Sequence, residues 1–157
     1  YYSDAVFLAR KLRAAKIAAV FLGGDGWDSP QLFESDPKNV QNVYITNHFS
    51  AEKKDPVVQE FVASYKKKWN SLPDGTAAVS YDAASMILAA AQAAYAENGG
   101  KKPSRAEIRR HLSELNNFSG VSGSITIDEN RNARKSIVIL KSDQKSFHYV
   151  KTIPPEM

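Results

Sequence analysis

The first 47 residues alternate between a helical spacing of hydrophobic positions and short continuous hydrophobic runs. Residues 4–15 carry apolar side chains at the i, i+3, i+4, i+7 spacing of an amphipathic helix, namely Ala5, Leu8, Ala9 and Leu12. Residues 17–22 are all apolar, which predicts a strand buried on both faces. Ser29-Pro30 has the form of an N-cap followed by a first-turn proline and predicts a short helix, and residues 43–46 predict a second strand. The order helix, strand, helix, strand predicts the α/β class, with parallel strands covered by helices.

Beyond a polar crossover at residues 47–54, three further helices are predicted. Asp55-Pro56 begins a helix whose apolar face consists of Val58, Phe61, Val62, Tyr65 and Trp69. Turn residues follow at 70–75, and a second helix is expected over 81–97, with an apolar face of Ala84, Ile87, Leu88, Ala91 and Tyr95. Ser104 and Glu107 have the spacing of a capping box and predict the third. Three short strands then complete the pattern, at residues 123–127, 136–140 and 147–152.

The amino-acid composition excludes several classes of function. The 157 residues carry a net charge of +4 and contain no cysteine, which excludes disulfides, thiolate metal sites and thiol catalysis. The densest basic cluster, residues 66–68, fits a solvated helix face better than a nucleic-acid patch, so no nucleic-acid partner is expected. No apolar run reaches the ~18 residues needed to span a membrane.

The most informative candidate site is the sequence Gly23-Gly24-Asp25-Gly26. It follows a predicted strand and precedes a predicted helix, and ligands of open α/β sheets bind at the carboxyl ends of strands. Glycines let a ligand approach the backbone, and a carboxylate among them suits a cationic group such as an ammonium. The same carboxylate would repel a phosphate, and the dinucleotide fingerprint fails because Ser29 stands where its third glycine belongs. A second interpretation, in which Asp25 only closes a turn, stays open.

Three aromatic residues near this edge, Tyr1, Tyr2 and Trp27, are candidates for a pocket wall, although packing is the commoner role of such side chains. The three histidines have no metal-ligand spacing, and residues 120–123 lack the nucleophile-elbow pattern. We therefore expect no catalytic residue, no metal and no cofactor.

Taken in order, several segments resemble one known family. They are residues 1–4 (Tyr-Tyr-Ser-Asp), 21–30 (Phe-Leu-Gly-Gly-Asp-Gly-Trp-Asp-Ser-Pro), 43–50, 80–84 and 118–128. The combination resembles the C-terminal half of the branched-chain amino-acid (Leu/Ile/Val-type) substrate-binding proteins of ABC importers, which have the type I periplasmic binding fold. The resemblance covers essentially the whole chain.

This resemblance implies two α/β lobes that close on a ligand about a hinge. Residues 1–47 would belong to the second lobe, 48–135 to the first lobe, and 136–157 again to the second. Asp25 would receive the α-ammonium of an amino acid, and Tyr1, or alternatively Tyr2, would line the cleft with Trp27 and Gly24. The groups that hold the ligand carboxylate would come from an N-terminal half absent from this chain.

The implied function is that of a non-enzymatic, extracytoplasmic solute-binding component, with an amino-acid ligand and a membrane permease as partners. The chain lacks an initiator methionine and a signal core, so a longer parent is expected, with a lipid anchor on the absent N-terminus as one option. A truncated half would expose lobe surfaces and invite oligomerisation. A ligand-sensing domain of the same fold is the alternative function.

Overall fold

The computed structural model describes residues 1–155, which form five helices and seven strands. The helices are α1 (Tyr2–Ala14), α2 (Pro30–Ser35), α3 (Pro56–Trp69), α4 (Gly75–Glu97) and α5 (Arg105–Ser113). The strands are β1 (Phe21–Gly23), β2 (Val43–Asn47), β3 (Phe118–Gly120), β4 (Gly123–Ile127), β5 (Ala133–Arg134), β6 (Ile137–Ser142) and β7 (Phe147–Ile153). A single 3-10 turn, Asp25–Trp27, follows β1.

The strands form two sheets. The larger has the order β1-β2-β6-β7, in which β1 and β2 run parallel and the other neighbours antiparallel. The smaller has the order β3-β4-β5 and is antiparallel throughout. The predicted α/β class is confirmed, but the large sheet is mixed, because the tail of the chain returns to it through a hairpin.

Helix starts follow local capping chemistry. Ser29, Asp55 and Ser104 each accept a hydrogen bond from a backbone N–H of the helix that follows, which satisfies a donor that has no partner within the helix. The capping box of Ser104 and Glu107 is formed as predicted. These three starts therefore agree with the sequence prediction.

The prediction for β1 is wrong in length and in burial. The strand covers only Phe21–Gly23, and Ile17, Val20 and Leu22 are exposed. The guanidinium of Arg13 donates to the carbonyl oxygens of Ile17 and Ala19 at 2.8 and 3.0 Å, so these groups are unavailable to a ladder. Phe21 packs in the sheet core, whereas the next residue, Leu22, points to the opposite face of this edge strand and is 77% exposed.

The prediction for α4 places the wrong face inward. The helix begins at Gly75, earlier than the expected residue 81, and its buried face consists of Gly75, Ala78, Asp82, Met86, Ala90 and Ala94. Ile87, Leu88 and Tyr95 of the predicted face are half exposed or more. Alanine occurs on every side of this helix, so the spacing of its hydrophobic residues hardly distinguishes one face from another. In α1 and α3, too, the predicted faces include one exposed member each, Leu8 and Trp69.

Buried side chains form two separate clusters. The sheet core joins α1, α2 and strands β1, β2 and β6, and contains Ala5, Val6, Ala9, Phe21, Leu32, Phe33, Val40, Val43, Ile45, Val138 and Leu140. The helix core joins the 48–55 crossover, α3, α4 and the β3–β4 turn, and contains Phe49, Val58, Phe61, Ala78 and Val121. The candidate site lies where the elements around these two cores meet.

Candidate functional site

The parallel pairing of β1 and β2 brings two loops to one edge of the large sheet. Phe21 pairs with Val43 and Gly23 with Ile45, so the carboxyl ends of both strands point the same way. The Gly24-to-Asp28 segment follows β1, and His48 follows β2. This edge is where open α/β sheets hold ligands.

Asp25 presents its carboxylate to solvent at this edge. The side chain is 63% exposed, its Oδ1 accepts a hydrogen bond from the Gly26 N–H at 3.1 Å, and its Oδ2 lies 3.4 Å from Nε2 of His48. No lysine or arginine forms an ion pair with it among the described residues. A cation arriving from solvent would meet an accessible carboxylate that has two weak local contacts.

Gly24 and Tyr1 leave room beside this carboxylate. A Cβ placed on Gly24 would have no heavy atom within 4 Å, so its backbone faces open space. A Cβ placed on Gly26 would lie 3.4 Å from Cδ1 of Tyr1, which puts the Tyr1 ring next to the turn; the residue itself is 84% exposed. Tyr1 thus lies beside the turn that carries Asp25, and the Gly24 backbone in that turn is uncovered.

The other two predicted aromatics pack against the protein. Tyr2 and Trp27 are partly buried against the sheet core. The Trp27 ring lies directly over Gly23, where any Cβ would overlap it. Their contacts are those of packing groups, and their proposed part in a ligand wall stays a prediction.

Sequence reasoning missed His48. Its Nε2 faces Asp25, and its buried Nδ1 has no hydrogen-bond partner among the described residues. The available signal was topological: a residue directly after β2 must lie beside the loop after β1 if these strands are parallel neighbours.

A second carboxylate near Asp25, that of Asp28, is hydrogen-bonded within the protein. Oδ2 of Asp28 accepts hydrogen bonds from Nδ2 of Asn47 at 2.7 Å and from the backbone N–H of Gly75, the first residue of α4, at 3.1 Å. Burial raises the pKa of Asp28, an effect that these two hydrogen bonds oppose. Asp28 therefore connects the ends of β1 and β2 to the start of α4.

Two crossovers connect the segments of the two core clusters, residues 48–55 between β2 and α3 and residues 135–136 between β5 and β6, and they are held together by hydrogen bonds. Asp82 of α4 is 2% exposed and accepts hydrogen bonds from the N–H groups of Val121 and Ser122 at 2.7 and 2.9 Å. Nζ of Lys135 donates to Oγ of Ser122 at 2.5 Å and to the carbonyl oxygen of His48 at 3.3 Å. Burial lowers the pKa of Lys135 to about 8, although the negative charge of Asp82 acts in the opposite direction. One lysine thus joins the crossover after β2 to the crossover before β6.

A large cavity lies away from this edge. It has a volume of about 1080 Å³ and is bounded by α4, α5 and strands β4 and β5, with Ile87, Leu112 and Ile125 among its apolar lining residues. His48 lines one end, but none of the five predicted site residues does. Two carboxylates line this mostly apolar cavity, and both are engaged within the protein: Asp82 with the β3–β4 turn and Glu107 with Ser104. The sheet edge is the better ligand candidate, because the Asp25 carboxylate is exposed and has only weak local contacts.

Metal sites and membrane-spanning helices are not found in the described part of the chain. Within residues 1–155 no group of three or more His, Asp or Glu side chains is placed to hold a metal ion. In the same residues no helix has the length and apolar character that a membrane crossing requires.

Comparison with known proteins gives a consistent assignment. The sequence profile of the family described as "Periplasmic binding protein" matches residues 1–146. The solved structure of a leucine binding protein from Thermotoga maritima is similar to 99% of this chain, with 32% identity and a TM-score of 0.87. The branched-chain amino acid transporter substrate binding protein of Streptococcus pneumoniae, solved with isoleucine, is similar over 99% of this chain, with 24% identity and a TM-score of 0.84. A search of curated proteins found no match.

This chain spans 43% of the length of each of these two structures. The shared part includes both core clusters, both crossovers and the edge that carries Asp25. The match of the family profile to most of the chain, together with the 32% identity to the leucine binding protein, shows that the chain belongs to the periplasmic binding protein family.

Proposed function

We propose that this chain forms the C-terminal half of an extracytoplasmic solute-binding component of an ABC importer. Its ligand would be an amino acid, of the branched-chain or a related type. The protein would hold the ligand between two lobes and release it to a membrane permease, with no bond made or broken. Membership of a family of binding proteins agrees with the expectation that the chain is not an enzyme.

The observation that carries this proposal is the exposed carboxylate of Asp25 beside open space over Gly24. An amino-acid ammonium can donate hydrogen bonds to a carboxylate, and such charge-assisted bonds strengthen when a closing cleft excludes water. The Tyr1 ring lies against Gly26 of the same turn and offers an aromatic surface there. His48 would orient the carboxylate from the opposite side.

Two lobes are supported by the two core clusters. The sheet core uses residues from 5–45 and 138–140, and the helix core uses residues from 49–121, which matches the proposed segments 1–47, 48–135 and 136–157 as far as the described residues extend. Ligand bound between two such bodies favours the closed arrangement through the contacts made only there.

An N-terminal half would complete both lobes and supply the carboxylate-binding groups. Exposed apolar side chains occur on both segments: Phe7, Leu8 and Leu22 near the sheet core, and Tyr81, Ile87, Leu88 and Tyr95 on α4. Surfaces of this kind mark places where other protein packs. The apolar cavity between α4, α5 and β4 continues the α4 surface and fits the same explanation.

The test uses the intact two-lobed protein and calorimetry with leucine, isoleucine and valine. We predict that Asp25→Ala weakens binding by about 2–4 kcal/mol, because a buried ammonium loses its charged partner. Asp25→Asn should bind better than Asp25→Ala, since an amide oxygen still accepts a hydrogen bond.

A ligand that lacks the ammonium distinguishes the loss of the Asp25–ammonium interaction from a general loss of binding caused by the substitution. 4-Methylpentanoate has the side chain and carboxylate of leucine but no ammonium. Asp25→Ala should not weaken its binding and should strengthen it to the extent that the unaltered protein buries an unpaired carboxylate. Equal leucine affinity with and without the Asp25 carboxylate would refute the assigned role.

A further inference from the structure

Asp28 makes a contact that joins parts of the chain far apart in sequence. The residue ends the turn after β1, whereas Gly75, 47 positions later, begins α4. Asn47, the last residue of β2, lies between them and is 2% exposed. A single carboxylate oxygen therefore bridges the edge of the large sheet and the first turn of a helix that packs in the helix core.

Gly75 and Asn47 are packed closely together beside this contact. A Cβ on Gly75 would overlap Oδ1 of Asn47, so only glycine lets α4 start so near the sheet. Oδ1 of Asn47 in turn accepts the N–H of His48 at 2.6 Å, which fixes the side chain with its amide NH₂ toward Asp28. The positive end of the α4 dipole adds a favourable interaction with the carboxylate.

Asp28 differs from Asp25 in direction and in role. Asp25 faces solvent, whereas both hydrogen bonds of Asp28 are made to the protein. Burial works against a charged Asp28, so the carboxylate is held by these two donors.

We propose that Asp28 is a positioning residue that fastens the start of α4, in the first lobe, to the ligand-binding edge of the second lobe and thereby slows ligand release. This inference rests on the proposed function, since it assumes that the two segments close on a ligand at the Asp25 edge. The contact restrains the lobes where β1, β2 and α4 meet, only three residues from Asp25. Loss of the restraint lets the cleft reopen more often, which appears in the dissociation rate rather than in the rate of association.

The experiment measures leucine release from the intact protein by stopped-flow fluorescence. Asp28→Ala removes both hydrogen bonds and should speed dissociation roughly 10-fold to 100-fold, as expected for lost hydrogen bonds to a charged group. Asp28→Asn keeps an oxygen that can accept both bonds and should restore most of the slow release. The matched control is Asp55→Ala, which removes a carboxylate that caps α3 through the Val57 N–H alone. That variant should lower the melting temperature without changing the dissociation rate.

A second measurement, made without ligand, gives the distance between the two lobes. Lys67→Cys in α3 and Lys145→Cys in the β6–β7 turn place two dyes on exposed positions of the two segments, in an intact protein whose N-terminal half is also made free of cysteine. Asp28→Ala should broaden the distance distribution between the dyes, and Asp28→Asn should restore it.

The outcomes separate this inference from the proposed function. An unchanged dissociation rate in Asp28→Ala, in a protein that binds leucine, overturns the positioning role. If the unaltered protein binds none of the three amino acids, the proposed ligand is wrong, and the dye distances decide alone: broadening supports the fastening by Asp28, and an unchanged distribution overturns it.

Discussion

Gly120 and Gly24 differ in the space that is available for a side chain. A Cβ on Gly120 would lie 2.6 Å from Oδ2 of Asp82, whose carboxylate accepts the neighbouring N–H groups of the β3–β4 turn. A Cβ on Gly24 would meet nothing within 4 Å. The first glycine is required by packing and the second leaves space at the candidate site.

We predict that Gly120→Ala lowers the free energy of unfolding by about 1–3 kcal/mol, because a buried carboxylate and its three hydrogen bonds must shift. Gly24→Ala is the control and should leave unfolding within about 0.5 kcal/mol, as is usual for exposed positions. Urea denaturation of both variants gives the comparison. Equal stability of the Gly120 and Gly24 variants would mean that Asp82 does not lie against the turn as described.

At this scale, sequence alone made Asp25 a candidate, together with Tyr1 and Gly24, but gave no indication of the contacts made by His48, Asn47 and Asp28. Asp25 stands among glycines directly after a strand, which is a local signal. His48, Asp28 and Asn47 act through contacts that depend on strand order and on the position of α4, and a single sequence carries no direct record of these. Tyr2 and Trp27 were candidates by proximity, and only the packed structure distinguishes their contacts from those of Tyr1.

At the scale of elements, Lys135 connects the two crossovers by hydrogen bonds. The ammonium is half-buried and bonded to Ser122 and to the His48 carbonyl, next to buried Asp82. Burial lowers its pKa from 10.5 in the unfolded chain to about 8 in the folded protein. Between these values the unfolded chain binds more protons than the folded protein, so the contribution of this residue to stability rises with pH across that window.

We predict that the stability of the unaltered protein relative to Lys135→Met increases from pH 8 to pH 10.5. The gain should be only about 1 kcal/mol, because solvent screens a half-buried charge. Urea denaturation at several pH values measures it, and Lys145→Met, in the exposed β6–β7 turn, is the control for general effects of removing a lysine. A difference between the two proteins that stays flat or falls with pH would contradict the placement of Lys135.

Elements were predictable where their signals are local. The starts of α2, α3 and α5 follow from Ser29, Asp55 and Ser104, whose side chains cap helices within three residues. β1 was misjudged because Arg13 takes the carbonyl groups of the preceding run, a contact from a neighbouring helix. β3 and β5 were missed because strands of three and two residues are too short to show an alternation.

At the scale of the whole molecule, the α/β class, the parallel strands of the first segment and the family were accessible from the sequence, whereas the strand order of the complete large sheet was not. Helix and strand order predicted the layers, but the antiparallel return through β6 and β7 depends on long-range pairing such as Asn47 with Val138. The exposed apolar side chains of α4 and α1 are likewise explained only by comparison with structures more than twice the length of this chain, in which additional protein is present.

The central claim is that a ligand ammonium binds the Asp25 carboxylate at the carboxyl edge of β1 and β2. A crystal structure of the intact protein with leucine tests this most directly. We predict that the amino nitrogen lies about 2.7–2.9 Å from an Asp25 oxygen, with the Tyr1 ring against the ligand and the cleft closed over it. Leucine bound instead within the cavity of α4, α5 and β4, with Asp25 still facing solvent, would contradict the claim.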